Sequence, residues 1–101
     1  MILDSKLKPM SNDTLHVRII SPQQLILDTQ AESISSKNLD GPFDVLPQHA
    51  NFITMIEKFP ITVRVVKDKP QIFNFAMSIM LVKENNVDIF TYIQPELDKK
   101  K

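Results

Sequence analysis

Cysteine is absent from the 101 residues and glycine occurs once, at Gly41. Without cysteine there is neither a disulfide scaffold nor a thiolate metal site, and the composition suits a reducing compartment. A single glycine rules out a GxxxxGKS/T phosphate loop, a GxGxxG dinucleotide turn and a GxSxG nucleophile elbow, each of which needs at least two. Net charge is missing as well: twelve basic and twelve acidic side chains cancel. No long-range field gathers a polyanion, so nucleic acid is not expected as a partner. No stretch approaches the ~20 apolar residues of a membrane helix, and the opening MILDSKLKPMSND lacks the apolar run and small-residue cleavage site of a secretory signal. The expectation is a cytoplasmic protein that meets a membrane only from the side. Lys99, Lys100 and Lys101 fall short of the roughly four to eight basic residues of a lipid-binding cluster.

Residues able to do chemistry are few. His16 and His49 are too far apart to suggest a metal cluster, and neither lies in an HExxH pattern. His16, at an outward position of a strand, reads as a surface residue. His49 reads as a loop histidine bonded to nearby backbone, because no nucleophile or oriented carboxylate accompanies it. Asp40 and Asp44 flank a loop in the manner of paired glycosidase carboxylates, yet aspartate bonds its own backbone in turns, and that reading is favoured. No catalytic, cofactor-binding or metal-binding residue is predicted, and no small-molecule substrate.

What the chain has is an apolar fraction of 43%, enough for one core in one domain. LHVRII at 15–20 alternates apolar and polar, the period of a half-buried strand, and Ser21-Pro22 ends it. Further extended runs are predicted at 25–27, 31–35, 52–56, 61–66, 72–75, 79–82 and 87–92, with 61–66/72–75 and 79–82/87–92 as hairpins. Strands spaced by about 8 to 12 residues indicate an all-β sandwich or barrel. The predicted fold is a two-layer β-sandwich of roughly eight to ten short strands. Residues 1–13 are predicted to be a loosely docked extension, 14–95 the sandwich and 96–101 a charged tail. Asn12-Asp13, Asn38 and Asn85-Asn86 are predicted to take the positive φ angles that glycine would otherwise supply. Surplus apolar residues such as Phe52, Met55, Phe73 and Met77 fit either a thick core or an exposed docking patch.

The most distinctive stretch is DGPFDVLPQHANFIT at 40–54. Its two prolines restrict the backbone and make it a shaped loop that feeds a strand. It is similar to the loop and strand of the amino-terminal domain of the F-type ATP synthase epsilon subunit, where a glycine-rich turn leads into a tyrosine-proline-glycine-histidine-alanine run. LHVRIISPQQ resembles that family's opening strand, 61–66 its basic strand, and IMLV at 79–82 the strand after its usual glycine pair. Met77 and Ser78 stand where that pair would be, Gln48 replaces the glycine before the histidine, and Pro42 and Asp44 depart within the ring-contacting turn.

The resemblance implies a non-catalytic central-stalk subunit, peripheral on the cytoplasmic face of the cell membrane, that links the gamma subunit to the membrane c-ring and couples ion flow to ATP synthesis or hydrolysis. It places Asp40, Gly41, Pro42 and Phe43 against the c-ring and Ser21, His49 and Thr54 against gamma. The family usually continues into two carboxyl-terminal helices that these residues do not include; if that ending is natural, the resemblance implies coupling without helix-mediated inhibition or nucleotide sensing. An adaptor or regulator that kept the fold but not the assembly is the alternative. A small enzyme using His49 with Asp40 or Asp44 ranks last.

Overall fold

The computed structural model describes residues 14–92, which form eight strands and, among the described residues, no helix. In chain order these are β1 (Leu15–Ile20), β2 (Leu25–Asn38), β3 (Gly41–Val45), β4 (Phe52–Glu57), β5 (Ile61–Val65), β6 (Gln71–Phe73), β7 (Met77–Lys83) and β8 (Asn86–Thr91). The predicted extension (1–13), the last three residues of the predicted sandwich (93–95) and the predicted tail (96–101) lie outside the described residues.

The strand path β4-β7-β8-β1-β2-β5-β6, with β3 also on β2, is one sheet folded into two layers. β2 makes the fold possible. Its first half pairs antiparallel with β1, from Leu25↔Ile20 to Ala31↔Leu15. Its second half pairs with β5, from Ala31↔Val65, and with β3, from Ile34↔Val45 to Asn38↔Gly41. A register shift between Ala31 and Ser33 marks the crossing, as bulges bend and twist a strand. The first layer is thus β4-β7-β8-β1 with the start of β2; the second is β3, the end of β2, β5 and β6. The β1–β8 ladder is parallel and every other pairing is antiparallel.

Two sequence expectations need correction. The runs 25–27 and 31–35 belong to one strand of 14 residues. Asp28 and Gln30 between them are exposed positions of a continuous ladder, so polarity there marks a solvent face and no proline or glycine breaks the chain. Gly41–Val45, read as loop, is β3; it pairs only with β2, and proline is tolerated on such an edge.

Between the layers lie Leu15, Val17 and Ile19 of β1, Ala31 and Ile34 of β2, Val45, Ile56, Ile61, Val63, Met80, Val82, Val87 and Ile89, all essentially without solvent contact. Phe43, Phe52, Phe59, Phe73 and Phe75 pack around this core while half-buried. Ser78, inward on β7, is a flaw in it: its Oγ is buried with no hydrogen-bond partner. An unpaired buried hydroxyl costs on the order of 1–3 kcal/mol. Ser78→Ala is therefore expected to raise unfolding stability by about 1 kcal/mol, read as a higher urea midpoint with an unchanged m-value.

Positive φ falls at Gly41 (119°) and at Gln48, Lys58, Lys67, Glu84 and Asn85. Only Asn85 of the predicted asparagines is among them; Asn38 and Asn86 are not, and Asn12-Asp13 lie outside the described residues. Glu84 and Asn85 (φ 50° and 67°) form a two-residue connection between the paired Lys83 and Asn86. Two successive positive φ values give the type I′ turn whose twist suits a hairpin.

Candidate functional site

Strand alternation puts a second apolar surface on the outside of the first layer. On β7, Ser78, Met80 and Val82 face inward while Met77, Ile79 and Leu81 face outward. Outward neighbours in register are Ile53↔Leu81 and Met55↔Ile79 from β4, and Ile79↔Phe90 from β8. Ile20 of β1 lies beside Phe90, and Leu25 of β2 beside Ile20. Tyr92, just past β8, borders the same shallow hollow as Met77, Ile79 and Phe90. Ile20 and Leu81 are half-buried, and the other members are exposed, from 39% at Ile79 to 65% at Ile53, so five strands present one continuous apolar face to solvent. A patch of this kind marks an interaction surface, and its methionine and aromatic content is that of interface centres.

The second layer's outer face carries a polar network by contrast, with Ile72 as an isolated exposed apolar residue. Ser35 donates to Asp44, and Arg64 Nη1 donates to Ser35 Oγ at 2.7 Å. The apolar face also has a polar border, at the β1 start. Arg18 grips Asp88 with two hydrogen bonds, Nε to Oδ1 at 3.0 Å and Nη2 to Oδ2 at 3.2 Å. Asp88's hydrogen bond and charge push the Arg18 guanidinium up, with Asp28 adding to the effect against slight desolvation. His16 Nε2 lies 2.6 Å from Asp28 Oδ1. Among the described residues no group of three histidine, aspartate or glutamate side chains is placed to hold a metal.

In the second layer, the β2–β3 hairpin closes through Leu39 and Asp40. The Asp40 amide donates to Asn38 Oδ1 at 2.8 Å, an Asx turn that shapes the tip. Gly41 is required by its backbone angle and not by space, since a Cβ there would meet nothing within 4 Å. Asp40 and Pro42 are exposed. Phe43 turns inward and meets Phe52 edge-on at 6.0 Å. Leu39, which sequence reasoning passed over, is 90% exposed at the tip. Beside it a groove of about 620 Å³ is lined by Leu39, Met55, Phe59, Ala76 and Met77, with Glu57 and Lys58 at its rim. Met55 and Met77 belong to both groove and face, so tip and face are contiguous.

The residues predicted to meet a second partner are spread out. Ser21 follows the end of β1 and is buried; its Oγ donates to the Gln24 carbonyl at 3.2 Å and accepts the amides of Gln23 and Gln24. Thr54 is half-buried on β4, accepting from Asn38 Nδ2 at 2.9 Å. His49 is exposed in the β3–β4 loop, its ring tilted against Phe52 at 5.2 Å and its Nδ1 donating to the Ala50 carbonyl at 2.9 Å. Of the suspected patch residues, Met55 and Met77 are on the face, whereas Phe52 and Phe73 pack toward the core. Ile53, Ile79, Phe90 and Tyr92 were missed. The signal for them was β7, where MSIMLV is apolar in both strand parities, the pattern of a strand covered on both sides.

Residues 14–92 match the family model of the ATP synthase delta/epsilon chain, beta-sandwich domain. The chain belongs to that family. Solved structures share the delta/epsilon fold at low identity. A chain of the Euglena gracilis mitochondrial ATP synthase, from a structure of OSCP, F1 and c-ring in rotational state 1, superposes with a TM-score of 0.73 at 17% identity over 78% of this chain. A chain from the central stalk and c-ring of the Tetrahymena thermophila mitochondrial ATP synthase gives 0.68 at 14% identity over 86% of this chain and 73% of its own length. This delta/epsilon chain spans about half, 51%, of the Euglena chain it matches.

Proposed function

We propose that this delta/epsilon chain is a non-catalytic central-stalk subunit of an F-type ATP synthase that fastens the gamma subunit to the c-ring and so couples ion translocation to ATP synthesis or hydrolysis. The observation that carries this reading is the apolar outer face of the first layer, found on a domain of a family defined by its place in ATP synthase. The face offers burial, not chemistry: isoleucine, methionine and phenylalanine can seal against a partner but neither transfer protons nor attack bonds.

Gamma is assigned to this face, with Ile53, Met55, Ile79 and Phe90 at its centre and His49 in the loop that leads into β4; Thr54, on the inward side of β4 opposite Met80, supports the face from beneath through its bond to Asn38. Ser21 contributes through the turn that its hydroxyl closes. The c-ring is assigned to the hairpin tip, where Leu39 joins Asp40, Gly41 and Pro42 as the projecting element and Phe43 anchors the hairpin against Phe52. Because tip and face adjoin, one rigid body touches both shaft and ring, and slippage under torque would require both surfaces to part. The subunit would lie peripheral to the membrane, on its cytoplasmic side.

The test is to purify the tagged native protein from gently solubilised membranes. Gamma, c-ring and catalytic subunits in fixed stoichiometry are the expected companions. Recovery alone, or with unrelated soluble proteins, would overturn the reading in favour of a free-standing adaptor.

A further inference from the structure

At the polar end of the first layer, two asparagines join segments far apart in sequence. Asn85 Oδ1, in the β7–β8 turn, accepts the Gln48 amide at 2.6 Å. Asn51 Oδ1, in the β3–β4 loop, accepts the Glu84 amide at 3.0 Å. Each element thus catches a backbone donor of the other. The Asn85 carbonyl also accepts the His16 amide at 2.8 Å, which ties in the start of β1. Gln48, Glu84 and Asn85 all hold positive φ, and such backbone persists only where its surroundings over-determine it. Two of these residues supply the caught amides and the third the carboxamide that catches one of them.

We propose that Asn51 and Asn85 are positioning residues: a reciprocal clasp that presets loop 46–51 for docking to the gamma subunit. The inference rests on the reading that the apolar face binds gamma. The loop extends that face at its β4 corner, because Asn51 immediately precedes β4 and Ile53 is an exposed member of the face. Leu46 is half-exposed, His49 is exposed against Phe52, and a turn bond from the His49 amide to the Leu46 carbonyl at 3.1 Å closes the loop on itself. Without the clasp this segment would have to be ordered during binding, and apparent affinity falls in proportion to the fraction of molecules already in the competent conformation. The asparagines act on loop geometry and do not themselves need to touch gamma.

Purified gamma subunit on a sensor surface tests this with matched variants. Asn51→Ala and Asn85→Gly each remove an acceptor, the glycine keeping positive φ accessible. Asn51→Asp and Asn85→Asp retain a carboxyl oxygen in place of the amide oxygen. The Ala and Gly variants are expected to bind about 5- to 10-fold more weakly, with faster hydrogen exchange at the Gln48 and Glu84 amides and a nearly unchanged melting temperature; the Asp variants are expected to restore both binding and protection. Faster exchange with unchanged affinity would show that the loop does not meet gamma, and unchanged exchange would show that the clasp does not hold it; either overturns the proposal. Ile79→Lys, run alongside, separates the two readings. If it binds gamma like the unaltered protein, the assignment of the face fails and the clasp's role falls with it. If it loses binding while Asn51→Ala and Asn85→Gly keep theirs, the clasp alone is refuted.

Discussion

Ile79→Lys is expected to weaken gamma binding by more than about 100-fold while the free protein stays folded. Ile79 sits between Met55 on β4 and Phe90 on β8, at the middle of the apolar face. In the free protein it is 39% exposed, so a lysine stem can lie along the sheet with its ammonium in water, and stability should change by no more than about 0.5 kcal/mol. In the complex the same ammonium would be buried without a partner. Stranding a charge in this way costs on the order of 3–5 kcal/mol, and about 1.4 kcal/mol is a tenfold change in affinity. Ile72→Lys is the control: Ile72 is exposed too, but lies on β6 in the second layer, and its replacement is expected to leave affinity within about twofold. Surface-immobilised gamma titrated with each variant, beside their thermal melts, gives the answer. Equal loss from both variants would place gamma elsewhere or reveal non-specific adhesion.

The largest stability loss is expected at Ile34. It is fully buried where β2 passes into the second layer, opposite Val45 on one side and Val63 on the other. Neighbours held on two flanking strands cannot both collapse into the space that a shortened side chain leaves. Ile34→Ala is therefore expected to cost about 2–5 kcal/mol, a large share of the roughly 5–15 kcal/mol that holds a typical domain together. Urea unfolding checks it. A loss below about 1 kcal/mol would mean that the crossing is loosely packed.

Much of the architecture was legible in the sequence because burial imposes a two-residue period. Leu15, Val17 and Ile19 against His16, Arg18 and Ile20 settle which face of β1 is inward, and Ile61 and Val63 do the same for β5. β2 was less legible because its partners change midway: Asp28 and Gln30 face solvent, while Ile34 and Ser36 pack inward beyond the register shift. A local reading sees two strands where long-range pairing makes one. Positive φ was misplaced for a similar reason. Asn85 follows turn chemistry, whereas lysine takes left-handed backbone at 58, where its amide bonds the distant Ala76 carbonyl, and at 67, in the turn closed by the Asp68 amide on the Val65 carbonyl. The candidate site was only half visible. Met55 and Met77 were recognisable as surplus apolar residues, but joining them to Phe90 and Tyr92 needed the strand order. Phe43 was placed at the tip by resemblance alone, yet its ring packs inward against Phe52 and Leu39 is what projects.

The parallel β1–β8 ladder also has a consequence for how the chain acquires its shape. β1 can meet β2 as soon as both are made, but its other edge pairs with residues about 70 positions later, as Arg18 and Asp88 show. Until β8 emerges from the ribosome, that edge of β1 has no ladder to join, and the two layers cannot close over Val17 and Ile19. Closing so long a loop before its contacts can reward it slows folding. The domain should therefore complete its sheet late, only after the strands between have been synthesised, with β1 waiting for β8.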